Sequence, residues 1–148
     1  MRRLGTVLGA AALALLTLPA DAHAAGIACG GSTSTGRLAL SGCISAQRGS
    51  LGPFPTRDIS AYIQLHNTGP RAFNVNYEAY ASADKGRSWT RVGMGRTLVA
   101  AHQTLGPIEV GSTTRVCAPH RVDIRVHAQV VGGPWSNWSS AATSQCQT

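Results

Sequence analysis

Residues 121–130 read Arg-Val-Asp-Ile-Arg-Val-His-Ala-Gln-Val, and no other stretch constrains the fold as tightly. Val122, Ile124, Val126, Ala128 and Val130 alternate with Arg121, Asp123, Arg125, His127 and Gln129. Successive side chains of a strand point to opposite faces, so this strict alternation is the period of a half-buried strand. The apolar set must face a core. The other set places Arg121, Asp123, Arg125 and His127 in a row on the open face. Gly132-Gly133-Pro134 signals a tight turn. Trp135 and Trp138 then open a second strand, where they can lie between the guanidinium groups.

The same period recurs along the chain. Leu38, Leu40 and Ile44 mark a first strand, and Ile59, Ala61, Ile63 and Leu65 form the next inward row. Phe73, Val75, Tyr77 and Ala79 alternate again, with Tyr80 on the other face. Residues 89–92 read as a short return strand, Leu98-Val99 and Ile108-Glu109-Val110 as further short strands, and residues 138–146 as the end of the sheet. Gly49, Gly52, Pro53 and Pro55 make residues 48–57 a connection, and Asn67-Thr68-Gly69-Pro70 is a turn signal. About seven short strands at turn spacings of roughly 8–15 residues predict an all-β, antiparallel β-sandwich.

The 148 residues suffice for one domain. Arg2 and Arg3, the apolar run over 4–18 and Ala22-His23-Ala24 together have the form of a signal peptide over 1–24. The run is shorter than the ~20 residues of a membrane span. Residues 25–36 are small and polar and are expected to form a loose N-terminal arm, leaving 37–148 as the sandwich domain. The expected location is extracellular, by secretion.

Four cysteines behind such a leader read as two disulfides, with three pairings open. Cys29 and Cys43 are close in sequence. If the strands on either side of Gly132-Gly133 form a hairpin, Cys146 returns near Cys117. The expected pairs are therefore Cys29–Cys43 and Cys117–Cys146. No C-x-x-C pair is present, so a zinc site is not expected.

Setting aside Arg2, Arg3 and Asp21 from totals of 13 basic and 6 acidic residues leaves eleven bases against five acids. A positive balance favours acidic partners. The charges form no basic run, so specific nucleic-acid binding is not expected. Lys85 is the single lysine, and that arginine bias, with the Ala- and Gly-rich leader, points to a high-GC bacterium of actinobacterial type.

Two local patterns resemble known ones. Ser82-Ala83-Asp84-Lys85-Gly86-Arg87-Ser88-Trp89 resembles the Asp-box of sialidases and other secreted proteins over all its positions. The resemblance implies a stabilised hairpin away from any catalytic site: Asp84 accepts from turn amides, Gly86 takes positive φ and Trp89 covers the turn. Trp135-Ser136-Asn137-Trp138-Ser139 matches W-S-x-W-S. With the arginine strand before it, this looks like the second fibronectin type III module of class I cytokine receptors. That resemblance implies a fibronectin type III or immunoglobulin-like sandwich, with Trp135 and Trp138 as stacking rings and Arg121 and Arg125 as cationic rungs. Each stacked pair would contribute about 0.5–2 kcal/mol. The cysteines depart from the receptor pattern, so the family's ligand binding is not carried over. The motif also resembles thrombospondin type 1 repeats, which have a denser cysteine framework. Asn137-Trp138-Ser139 is a glycosylation sequon in a host with that machinery.

Catalytic constellations are weakly represented. His66, His102, His120 and His127 form no H-x-x-x-H or H-x-H pair, so neither metal nor cofactor is expected. No G-x-S-x-G elbow is present. Asp58, Glu78, Glu109 and Asp123 offer carboxylates with nothing to select a pair. A small ribonuclease would draw on Glu109 as base, His102 as acid and arginines for phosphate. A protease inhibitor would need a rigid loop from residues 49–57 or 93–106. Tyr62, Tyr80, Trp135 and Trp138 instead supply area for sugars or peptides. The expected function is non-catalytic recognition of an extracellular protein or glycan by a monomer, through Arg121, Arg125, Trp135 and Trp138.

Overall fold

The computed structural model describes residues 26–49, 53, 55–116 and 121–144. These form eight strands: β1 (Ala28–Thr35), β2 (Leu38–Arg48), β3 (Thr56–Asn67), β4 (Phe73–Ser82), β5 (Thr90–Val99), β6 (Thr104–Val116), β7 (Arg121–Val130) and β8 (Ser139–Ser144). They build two four-stranded antiparallel sheets, ordered β1-β2-β3-β6 and β5-β4-β7-β8. At the rims β6 lies beside β5 and β1 beside β8. No helix among the described residues is long and apolar enough to cross a membrane.

The alternating rows meet as expected. Ile59, Ala61, Ile63 and Leu65 of β3 face Val75, Tyr77 and Ala79 of β4 and Val122, Ile124, Val126 and Ala128 of β7 in one buried core. Each large aliphatic side chain there stabilises the fold by roughly 1.5–3 kcal/mol through removal from water. Asn67 is fully buried at the end of β3. Its Nδ2 donates to the carbonyls of Arg71 at 2.8 Å and Ala100 at 3.0 Å, and its Oδ1 accepts from the Gly69 amide at 2.8 Å. The turn signalled by Asn67-Thr68-Gly69-Pro70 is thereby tied to the turn between β5 and β6.

Two expectations change. The stretch expected to be a loose arm carries β1, antiparallel to β2, which raises the strand count to eight. β1 has no apolar period because it lies at the rim, mostly exposed, and is held by backbone pairing and polar contacts. Secondly, the pieces expected at 89–92 and 98–99 belong to one strand, β5. Gly93 interrupts their apolar pattern for a packing reason. A Cβ on Gly93 would lie 1.9 Å from the Val110 carbonyl oxygen of β6, so the sheets approach there only through glycine. Of the two expected disulfides, Cys29–Cys43 is present and joins directly opposed residues of β1 and β2. Cys117 and Cys146 lie outside the described residues.

Candidate functional site

β7 lies between β4 and β8, so its polar face is flanked on both sides. On one side Tyr80 pairs with Arg125 and Glu78 with His127. On the other, Arg125 pairs with Ser140 and Val126 with Ser139. After the turn, an isolated bridge sets Trp135 opposite Gln129. Continuing the β7–β8 register brings Trp138 opposite His127.

The two serines of the W-S-N-W-S segment hold its backbone. The Ser136 amide donates to the Ala128 carbonyl at 2.8 Å, and Ser136 Oγ accepts from the Ala128 amide at 3.2 Å. Ser139 Oγ accepts from the Gly42 amide of β2 at 2.7 Å and donates to the Gly31 carbonyl of β1. Both serines are buried. Trp135 and Trp138, each next to one of these serines, therefore project onto the open face.

There they build one continuous stack. The His127 imidazole lies between Trp135, with centroids 4.1 Å apart and planes at 21°, and Trp138, at 3.8 Å and 18°. The Arg125 guanidinium carbon sits 4.1 Å from the Trp138 centroid and 4.3 Å from that of Trp89. Tyr80 meets Trp138 edge-on at 5.5 Å. The order is Trp135, His127, Trp138, Arg125, Trp89. Trp135 and Trp138 remain 40 % and 39 % exposed.

Trp89 is placed by the hairpin before β5. Ser82 Oγ donates to Asp84 Oδ1 at 2.6 Å and accepts from the Gly86 amide at 2.9 Å. Asp84 accepts from the Ser88 amide at 2.9 Å and from the Ser88 hydroxyl. Lys85 and Gly86 take the positive φ values of 64° and 81° that close the turn. The hydrogen bonds from Ser82 and Ser88 hold the Asp84 carboxyl well below the usual carboxylate range.

Glu78 anchors the histidine rung. Its Oε2 accepts from Tyr80 Oη at 2.9 Å and lies 3.4 Å from His127 Nε2, while Arg91 lies 3.6 Å from Oε1. Burial alone would raise the Glu78 pKa, but the contacts with Tyr80, His127 and Arg91 together lower it. Burial between the indoles lowers the His127 pKa, against the opposing pull of Glu78. Arg125 differs from both. Among the described residues it makes no ion pair, and its Nε is buried without a hydrogen-bond partner.

Arg125, Trp135 and Trp138 therefore come together as the sequence implied, and Arg121 does not join them. Arg121 Nε meets Asp123 at 2.7 Å, opposite Ser144 and beyond the last tryptophan of β8's side. The second rung is His127, and Trp89 closes the stack. Both were legible only as strand-face and hairpin residues. The missed signal was register: counting back from the Gly132-Gly133 turn sets Trp138 opposite His127, with Arg121 several rungs away.

The enzymatic candidates stay apart. His102 lies in the turn before β6, while Glu109 sits mid-strand and accepts from Ser60 Oγ at 3.2 Å. Thr104 and Glu109 pair with His66 and Tyr62 of β3, four residues and about 13 Å apart. Tyr62 faces outward on the opposite sheet, 3.2 Å from Ser45 Oγ, and His66 pairs with Thr104 Oγ1 at 2.8 Å. Among the described residues no three His, Cys, Asp or Glu side chains cluster to hold a metal. Residues 93–106 are mostly strand rather than a reactive loop. His120 and much of 49–57 lie outside the described residues.

No protein-family model matches this chain, and no curated protein matches it. Among solved structures it is similar to the solution structure of R. palustris CsgH, with 12 % identity over 66 % of this chain and 87 % of that chain and a TM-score of 0.33. A likeness that distant carries no argument about this chain.

Proposed function

We propose that this chain is a secreted, non-catalytic recognition module that binds an extracellular protein or glycan through the open face of β7. The observation that carries this reading is the stack itself. Five side chains are aligned on one sheet face, and Trp135 and Trp138 keep about two-fifths of their surface in water. Exposed, rigidly held aromatic and cationic groups are the usual anchors of recognition surfaces.

The strand order supports a fibronectin type III or immunoglobulin-like module. In such sandwiches strands B and E pair in one sheet and C and F in the other, with a C′ strand added beside C in some members. Here β3 pairs with β6, β4 with β7, and β5 adds to β4. β2 and β8 then take the places of A and G, and β1 is an addition beside A.

The test is affinity capture with the oxidised protein from culture supernatant and envelope extracts. A component retained by the native protein and lost with Trp135→Ala, in a variant that still melts cooperatively, is the expected result. Equal retention by both proteins would move the binding surface away from the stack and overturn this assignment.

A further inference from the structure

At the Trp89 end of the stack a cleft of about 540 Å³ opens between the hairpin and β8. It is lined by Lys85, Gly86 and Trp89 of the hairpin, Arg121 and Asp123 of β7, and Ser140 of β8. That volume is within the range of small-ligand sites. Lys85 is exposed at the hairpin tip. Arg121 keeps 67 % of its side chain exposed and meets Asp123 through Nε, so its two terminal nitrogens stand outside that pair. Arg125 packs on the Trp89 ring and has no counter-ion among the described residues. Among the described residues two cations, Lys85 and Arg121, and one carboxylate, Asp123, thus line the cleft, with Arg125 packed on the Trp89 ring beside it.

We propose that this cleft binds an acidic sugar unit, the uronate-type residue of an extracellular polysaccharide. The proposal rests on the recognition reading above and names the ligand class for the Trp89 end of the same face. The sugar carboxylate would lie between Lys85 and Arg121, where charge-assisted hydrogen bonds are strongest. Its hydroxyls would donate to Asp123 and exchange hydrogen bonds with Ser140. Trp89 supplies apolar wall for the ring carbons. Asp123 separates this ligand from an acidic peptide. A lone carboxylate acceptor inside the cleft repels a run of side-chain carboxylates, but it suits a ring carrying hydroxyl donors beside its acid. The net charge of +7 favours encounter with a polyanion in the same sense.

The experiment is titration calorimetry of the full chain with an oligogalacturonate, a neutral galactan oligomer and an oligoglutamate of matched length, at low and high salt. The expected result is binding of the oligogalacturonate alone, weakened by salt. Lys85→Ala and Arg121→Gln should each weaken it roughly tenfold, the loss of one charge-assisted hydrogen bond, with unchanged melting. Equal binding of the neutral oligomer, tighter binding of the oligoglutamate, or no oligogalacturonate binding at low salt would each overturn the proposal. Retention of an envelope component that needs Trp135 but is indifferent to Lys85→Ala and Arg121→Gln would overturn it too, while leaving the recognition module standing.

Discussion

The His127 imidazole lies flat against the Trp138 indole, 3.8 Å between centroids and 18° between planes. This contact joins a titratable rung to an aromatic one in the middle of the stack. Trp135 covers the other face of His127, and Glu78 holds its Nε2. The stack is thus sensitive to both truncation and protonation, and the two are separable.

Protonation of His127 should destabilise the fold. Burial depresses its native pKa below 6.5, so on acidification the unfolded chain takes up this proton first. Its contribution to stability is complete above about pH 6.5 and declines as pH falls through the native value. NMR titration should place the midpoint below 6.5, and Glu78→Gln should lower it further by removing the group that favours the charged ring. His127→Phe keeps a flat ring and should flatten the urea midpoint over that pH window. A midpoint at or above 6.5 contradicts this account.

Truncation of the central rung should cost more than truncation of the end rung. Trp138 contacts His127, Arg125 and Tyr80, whereas the stack contact of Trp135 is with His127. Trp138→Ala is expected to cost about 2–3 kcal/mol and Trp135→Ala about 1 kcal/mol. Chemical denaturation of both variants reads the difference. If Trp138→Ala retains full stability and loses only ligand, the ladder serves binding alone.

Ser139→Ala should destabilise although it removes a single hydroxyl. The Gly42 amide and Gly31 carbonyl both bond to Ser139 Oγ across the sandwich rim. Their loss leaves unpaired groups, at a cost of about 1–3 kcal/mol. The neighbouring Ser140, exposed on the surface, should tolerate Ala within about 0.5 kcal/mol. Faster hydrogen exchange at the Gly42 amide in Ser139→Ala alone would locate the effect.

The hairpin carboxylate predicts a second, more acidic transition. Asp84 titrates below its ordinary 3.8 because Ser82 and Ser88 donate to the charged form. Its contribution is present above 3.8 and is lost as pH falls below that value. The melting difference between the native protein and Asp84→Asn should be full above about pH 3.8 and narrow progressively as pH falls from there toward the much lower native value. A difference that persists unchanged into stronger acid would show that the turn does not depend on this charge.

The inward faces were readable from period alone. Alternation at Val122, Ile124, Val126 and Ala128 placed each of them in the core, and Ile59, Ala61, Ile63 and Leu65 did the same for β3. A period of two assigns a side chain to a face without any knowledge of its neighbours. The proximity of Cys29 and Cys43 in sequence likewise anticipated their pairing.

What the period leaves open is who stands beside whom. β1 is illegible in the sequence because its Gly, Ser and Thr residues carry no apolar rhythm, and its pairing with β2 and the Ser139 hydroxyl appears only in three dimensions. The pattern of β5 reads as two short pieces because Gly93 answers to the backbone of β6, distant in sequence.

Arg125, Trp135 and Trp138 were identified from the chain because motif and alternation are local. The choice of His127 over Arg121 as the second rung depended on the β7–β8 register, and the recruitment of Trp89 on the pairing of β4 with β7. The sequence by itself determined which side chains leave the core on this face. Only the tertiary structure decided their order in the stack, because lateral neighbours in a sheet are set by non-local hydrogen-bond registers that no local pattern encodes.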